Sequence, residues 1–157
     1  MNSRISQLTR VCVGLNDYRY EASLHIRHPT IDAEAISAAV PIAPRRVCRA
    51  GDQRRLPNGT LRDGYYDATY WSTDLHCPDG FDVSEFLKDL IAQLSTSEEF
   101  LFNLARTGGE SEIFLGLYAE RCCDFAMPPT LLGQLASLGL TLRLDFYGPD
   151  GAVAGSK

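Results

Sequence analysis

Between Arg45 and Arg62 the chain carries six arginines, at positions 45, 46, 49, 54, 55 and 62, against one acid, Asp52. The stretch is therefore strongly cationic, while the whole chain has a formal net charge of −5. A guanidinium is a planar fork of N–H donors that matches carboxylate and phosphate oxygens. The chemistry of such a cluster is anion recognition, not bond making. Tyr65, Tyr66, Tyr70 and Trp71 stand just beyond it. Basic residues beside aromatics are also what a single-stranded nucleic acid would need for stacking. The candidate ligand- or partner-binding residues are Arg49, Asp52, Arg54, Arg55, Arg62, Tyr70 and Trp71.

A competing use weighs against each of these. Charge runs in loops are commonly just solvated. Asp52 pairing with Arg49 or Arg54 would shape a turn, and strand alternation puts one of Tyr70 and Trp71 in the core. Arg54 and Arg55 are what a turn does not need, so the functional reading rests on them first.

No other motif competes. There is no Gly-rich phosphate loop, nucleophile elbow, His-Glu-x-x-His or Cys-x-x-Cys, so no catalytic residue is assigned and the reading leans to a non-enzyme. His25, His28 and His76 fall on a strand face, a strand end and a turn, where surface or structural roles prevail. The cysteines at 12, 48, 77, 122 and 123 are odd in number and lack a framework spacing, which reads as reduced thiols. His76-Cys77 and Cys122-Cys123 are adjacent pairs, whose side chains diverge in extended chain, while zinc ligands favour wider spacing. Neither a metal nor a cofactor is expected.

The elements that must position the arginines follow from periodicity. YRYEASLHIRHP alternates, with Tyr20, Ala22, Leu24 and Ile26 on one face and Glu21, Ser23, His25 and Arg27 on the other. TIDAEAISAAV reads as a short helix stopped by Pro41 and Pro44. The arginine stretch then reads as a loop punctuated by Gly51-Asp52, Pro57-Asn58-Gly59 and Asp63-Gly64, and YYDATYWST as one strand. Asp82 and Glu85 form a capping pair ahead of Phe86, Leu87, Leu90, Ile91 and Leu94 at helical spacing. Ser95-Thr96-Ser97-Glu98-Glu99 offers a second cap before a helical piece ended by Gly108-Gly109. SEIFLGLYAERC and TLRLDFYG alternate as strands around a helix that starts near Pro128 or Pro129 and ends at Gly139.

The fold class is α+β: a mainly antiparallel or mixed sheet of four or more strands with helices packed on one face. Pro29-Thr30-Ile31 and Pro129-Thr130-Leu131 each open a helix after a strand and hint at two similar halves. The 157 residues suit one domain, with a core from about 11 to 147 and loose tails at 1–9 and 149–157. The polar start and the short apolar run at 11–15 lack a signal-peptide core, and no stretch is long enough to span a membrane, so the expected location is cytoplasmic. The acidic net charge argues against nucleic acid as a general partner.

SLHIRHPTIDAEAIS, RAGD, YWSTDL and DVSEFLKDLIAQL, in that order, resemble the bacterial domain-of-unknown-function family catalogued under number 4279. The matching positions are Ser23, Leu24, Ile26, Ile36, Ser37, Pro44, Arg49, Gly51, Asp52 and Trp71, and the likeness runs over about residues 18–147. AAVPIAP departs from it, because the family more often has a Leu-Gly step before its proline, and this leaves the helix end undefined. The resemblance implies a small bacterial protein without an established activity, with partner-binding or immunity-type roles among its members, and it supplies no catalytic residues. The expected function is a binding module for another macromolecule, a protein. The alternative is an enzyme or binding protein for a phosphate or carboxylate ligand held by the arginines of 45–62.

Overall fold

The computed structural model describes residues 18–79, 82–120 and 123–148. The expected tails, the start of the core, Cys12 and Cys122 lie outside the described residues. The alternating segment forms β1 (Tyr18–His28), followed by α1 (Ala33–Ala39), β2 (Arg46–Cys48), β3 (Gln53–Arg55), β4 (Leu61–Tyr65) and β5 (Thr69–Leu75). Then come α2 (Val83–Leu94), α3 (Glu98–Arg106), β6 (Glu110–Ala119), α4 (Pro129–Ser137) and β7 (Leu140–Tyr147). Five strands form a mixed sheet in the order β2-β5-β1-β6-β7, while β3 and β4 form a separate two-stranded ribbon. Among the described strands only β6 and β7 run parallel, and α4 supplies the crossover that a parallel pair needs. The protein is thus an α+β fold with a mixed sheet.

One face of the sheet is covered. Ala22, Leu24 and Ile26 of β1, Trp71 of β5 and Ile113, Leu115 and Leu117 of β6 are buried against Leu87, Leu94, Leu101 and Leu131 of the helices. α1 lies against β5, α3 against β6 and α4 against β7. α2 begins with the expected reciprocal cap: Asp82 Oδ1 accepts from Glu85 N–H at 2.8 Å, and Asp82 N–H donates to Glu85 Oε2 at 3.3 Å.

Several local expectations change. α1 ends in an extended Val40 whose N–H still reaches Ile36 O at 2.9 Å, so no left-handed residue is needed before Pro41. The Ser-Thr-Ser segment is a 3₁₀ turn, and Ser97 does not cap α3. Its hydroxyl donates instead to Ala39 O at 2.6 Å, tying this turn to the end of α1. The two Pro-Thr segments also enter their helices differently, with Asp32 at the N-cap of α1 and Pro128 at the N-cap of α4.

The largest difference concerns the arginine stretch and the strand after it. The stretch is no plain loop: β2 pairs along β5, and β3 and β4 form a ribbon that leaves the sheet. The expected continuous strand YYDATYWST is broken at Tyr66–Ala68, because β4 belongs to the ribbon and β5 to the sheet. At the ribbon's base Gly51 N–H donates to Tyr66 O at 2.8 Å and Tyr66 N–H to Asp52 O at 2.9 Å. Gly51 stands at φ +83° in a turn closed by Asp52 N–H to Arg49 O at 3.2 Å. An added Cβ would touch nothing there, so the glycine serves backbone conformation alone.

Candidate functional site

The face of the sheet turned from the helices carries the odd-numbered residues of β1, among them His25 and Arg27. Side by side with them stand Tyr70 and Ser72 of β5 and Glu112 of β6, as the strand registers require. The β3–β4 ribbon stands against this face. Between them lies a cleft of about 900 Å³. Its sheet side includes His25, Arg27, Arg46, Cys48, Tyr70 and Arg143, and its ribbon side includes Arg54, Arg55, Leu56 and Arg62. Six arginines thus meet two glutamates, Glu110 and Glu112, around one opening.

Two of the six are neutralised within the chain. Arg27 donates to Asp67 Oδ2 at 3.2 Å and to the Tyr70 hydroxyl at 3.1 Å, and Arg143 Nε donates to Glu112 Oε2 at 2.9 Å. The Tyr70 hydroxyl and the Arg27 guanidinium hold the Asp67 carboxyl below its ordinary range. Among the described residues, Arg46, Arg54, Arg55 and Arg62 form no ion pair with a carboxylate. Hydrogen bonds to Cys48 and Tyr66 raise the Arg46 pKa. Arg54 Nε holds Tyr65 O at 3.2 Å, and Arg55 Nη1 reaches Gly59 O at 3.5 Å. Each such bond occupies one donor, and a guanidinium has five. The cleft therefore faces solvent with unneutralised donors.

The seven candidate residues separate. Arg54, Arg55, Arg62 and Tyr70 come together at the cleft, whose wall also includes Trp71. Arg49 turns away and pairs with Glu34 of α1, which lowers the Glu34 carboxyl. Asp52 forms no ion pair with Arg49 or Arg54; it shapes the ribbon base through its backbone and lines an adjoining groove of about 580 Å³. Trp71 is the core member of its pair: it is buried, and its indole N–H donates to Ser37 Oγ at 3.0 Å. Tyr70 is packed by Tyr66 edge-on at 6.3 Å and by Arg27 at 5.5 Å, and remains 37% exposed.

Arg27 and Arg143 are cleft residues that sequence reasoning missed, and Arg46, a member of the arginine stretch, joins them without having been among the seven candidates. Alternation pointed Arg27 outward, which was the available signal; Arg143 is a single charge brought in by strand order. The open face also aligns Ser23 Oγ with His25 Nε2 at 3.0 Å, and His25 Nδ1 with Glu112 Oε1 at 4.0 Å. The second distance exceeds a hydrogen bond, and the other Glu112 oxygen is engaged by Arg143. Ser23 sits in the central strand, paired on both sides, so backbone N–H groups there serve the ladders and not an oxyanion. The line stops short of a nucleophilic triad. Among the described residues no three His, Cys, Asp or Glu side chains gather as a metal site, and burial pushes the Cys77 thiol up.

Fold and cleft together define an α+β domain that presents a cluster of unpaired guanidinium groups. A family model described as Domain of unknown function (DUF4279) matches residues 17–149, and the chain belongs to that family. The matched span includes every strand and helix described above, the ribbon among them. No curated protein and no solved structure matches the chain.

Proposed function

We propose that this domain is a binding module that takes an acidic segment of a protein partner into the cleft, with the arginine ribbon as its recognition element. The observation that carries this reading is the set of four cleft arginines without a carboxylate partner. Unpaired charge gathered in one concave place is what an oppositely charged ligand completes. The ribbon also exposes Leu61 (52%) and Tyr65 (68%) beside the arginines. Arginine and tyrosine next to apolar surface is the make-up of protein-binding anchors. An immunity-type protein, which masks a toxin by binding it, would use such a surface.

The test is a titration with a fluorescent glutamate-rich peptide at low and high salt, comparing the native chain with Arg54→Glu/Arg62→Glu. Binding by the native chain, weakened by salt and weakened on the order of tenfold or more by the double reversal, supports the reading. Arg45→Glu and Arg49→Glu, whose arginines already have partners outside the cleft, should weaken it less. Equal binding by native chain and double variant overturns the proposal.

A small phosphate or carboxylate ligand is favoured by one observation, a cleft volume inside the range of small-molecule sites. Citrate or phosphate displacing the peptide at comparable concentration would decide for that ligand class.

A further inference from the structure

Among the described residues β7 is the sheet's edge, hydrogen-bonded to β6 alone. It is eight residues long, Leu140-Thr-Leu-Arg-Leu-Asp-Phe-Tyr147, and its outer backbone groups offer a row of donors and acceptors. Its register with β6 sets Leu142, Leu144 and Phe146 beside Ile113, Leu115 and Leu117 on the helix-covered face. Leu142 and Leu144 are partly buried there, yet Phe146 remains 64% exposed. On the open face stand Arg143 and Asp145. Arg143 uses Nε on Glu112, which leaves its terminal nitrogens, and Asp145 has no ion pair among the described residues.

We infer that β7 pairs antiparallel with β7 of a second copy about a two-fold axis through Leu144, giving a continuous ten-stranded sheet. Self-complementarity of the strand selects this occupant and this register. With Leu144 opposite Leu144, Arg143 faces Asp145 of the second copy and Asp145 faces its Arg143. On the other face, Phe146 lies opposite Leu142 of the second copy, so the exposed ring is covered. Paired residues share the same parity, so helix-covered face continues into helix-covered face and open face into open face.

Neighbouring registers are worse. Sliding the strands two residues sets Arg143 against Arg143 or Asp145 against Asp145, and like charges directly opposite repel. Sliding by one residue would join the apolar face of one copy to the polar face of the other. An edge guarded only against aggregation would carry charge too, but it would not need opposite charges placed evenly about a leucine. A strand-edge contact of this length is at the small end of specific interfaces, so the dimer depends on concentration.

Sedimentation equilibrium on the full chain of 17.3 kDa tests this. The native protein should approach twice that mass as concentration rises. Arg143→Asp alone and Asp145→Arg alone each set like charges opposite twice per dimer and should raise the dissociation constant roughly tenfold or more. An equimolar mixture of the two variants restores both opposite-charge pairs and should dimerise. Because Arg143→Asp also removes the Glu112 contact, hydrogen exchange of the native chain is the companion measurement: β7 amides should gain protection with concentration. A monomer at every concentration, or β7 protection that is independent of concentration because another segment of the chain covers the edge, overturns the inference. So does a mixture no more dimeric than its components.

Discussion

Replacing His28 with leucine should destabilise the fold through lost hydrogen bonds, although it keeps an apolar side chain of similar bulk. His28 ends β1 and is only 4% exposed. Its Nδ1 accepts from Thr30 N–H at 3.1 Å and from Ile31 N–H at 2.9 Å, while Nε2 meets Thr107 Oγ1 at 3.0 Å. With two backbone donors on Nδ1, the proton belongs on Nε2, which donates to Thr107; the threonine hydroxyl in turn donates to Asn103 O or Leu104 O. One ring therefore fixes the exit of β1 and docks it on the C-terminal end of α3. Leucine supplies none of these bonds. Each orphaned donor at a part-buried site costs about 1 kcal/mol, at the low end because water can reach Thr30, and losing the threonine bond costs about 1 kcal/mol more. The sum, about 3 kcal/mol, is a large share of the roughly 5–15 kcal/mol that holds a domain together. It corresponds to a fall of about 6–12 °C in melting temperature for a chain of this size. Urea unfolding followed by Trp71, the chain's single tryptophan and a buried one, measures it directly. Thr107→Val isolates the Nε2 bond and should cost about 1 kcal/mol. If His28→Leu unfolds within about 0.5 kcal/mol of the native protein, inside the usual range of surface substitutions, the proposed role of the ring is wrong.

Two further outcomes follow from burial and backbone geometry. Burial raises the phenol pKa values of Tyr18 and Tyr20, so the folded state favours the neutral rings; their contribution is complete below the ordinary phenol value of about 10 and is lost as pH rises past it. Denaturation midpoints should therefore fall with pH above about 10, and Tyr20→Phe should flatten that fall. Two glycine-to-alanine changes should have opposite signs in thermal melts. At Gly109 a Cβ would lie 2.2 Å from buried Leu104 Cδ2 and 2.7 Å from His28 Cδ2, an overpacking worth about 1–3 kcal/mol of destabilisation. At Gly133, within α4, a Cβ meets nothing and alanine should stabilise by about 0.5–1 kcal/mol.

The elements legible in the sequence are those that bury a face. β1, β6 and β7 announce themselves by alternation, and α2 by its capping pair and apolar stripe, because burial forces that periodicity. The ribbon has no such signal: every residue of β3 and β4 is exposed, so no buried face imposes an alternation on the strands. Its turn residues were visible, but their pairing was not. The cleft was half legible for the same reason. Arg54, Arg55 and Arg62 are close along the chain, whereas Arg27 and Arg143 reach them only through the strand order β5-β1-β6-β7. Arg49 and Asp52 stand apart from the cleft because neighbours in sequence need not be neighbours in space, and Glu34, fifteen positions from Arg49, takes the guanidinium.

If the cleft takes an acidic segment, as proposed, the contrast between cleft and chain bears on which ligand fits. The whole molecule carries −5, so the surface outside the arginine cluster is strongly acidic. At physiological salt a charge is felt over about 8 Å, a distance shorter than a small domain. A short acidic segment or a single anionic group would meet the arginines alone. The ribbon's exposed leucine and tyrosine then provide apolar contact that an inorganic anion cannot use. Charge localised within a Debye length, with apolar surface beside it, is what a protein segment carrying a few carboxylates would match. This is why the salt dependence of binding should be that of a few contacts, and why replacing Leu61 and Tyr65 should weaken a peptide ligand while leaving a small anion untouched.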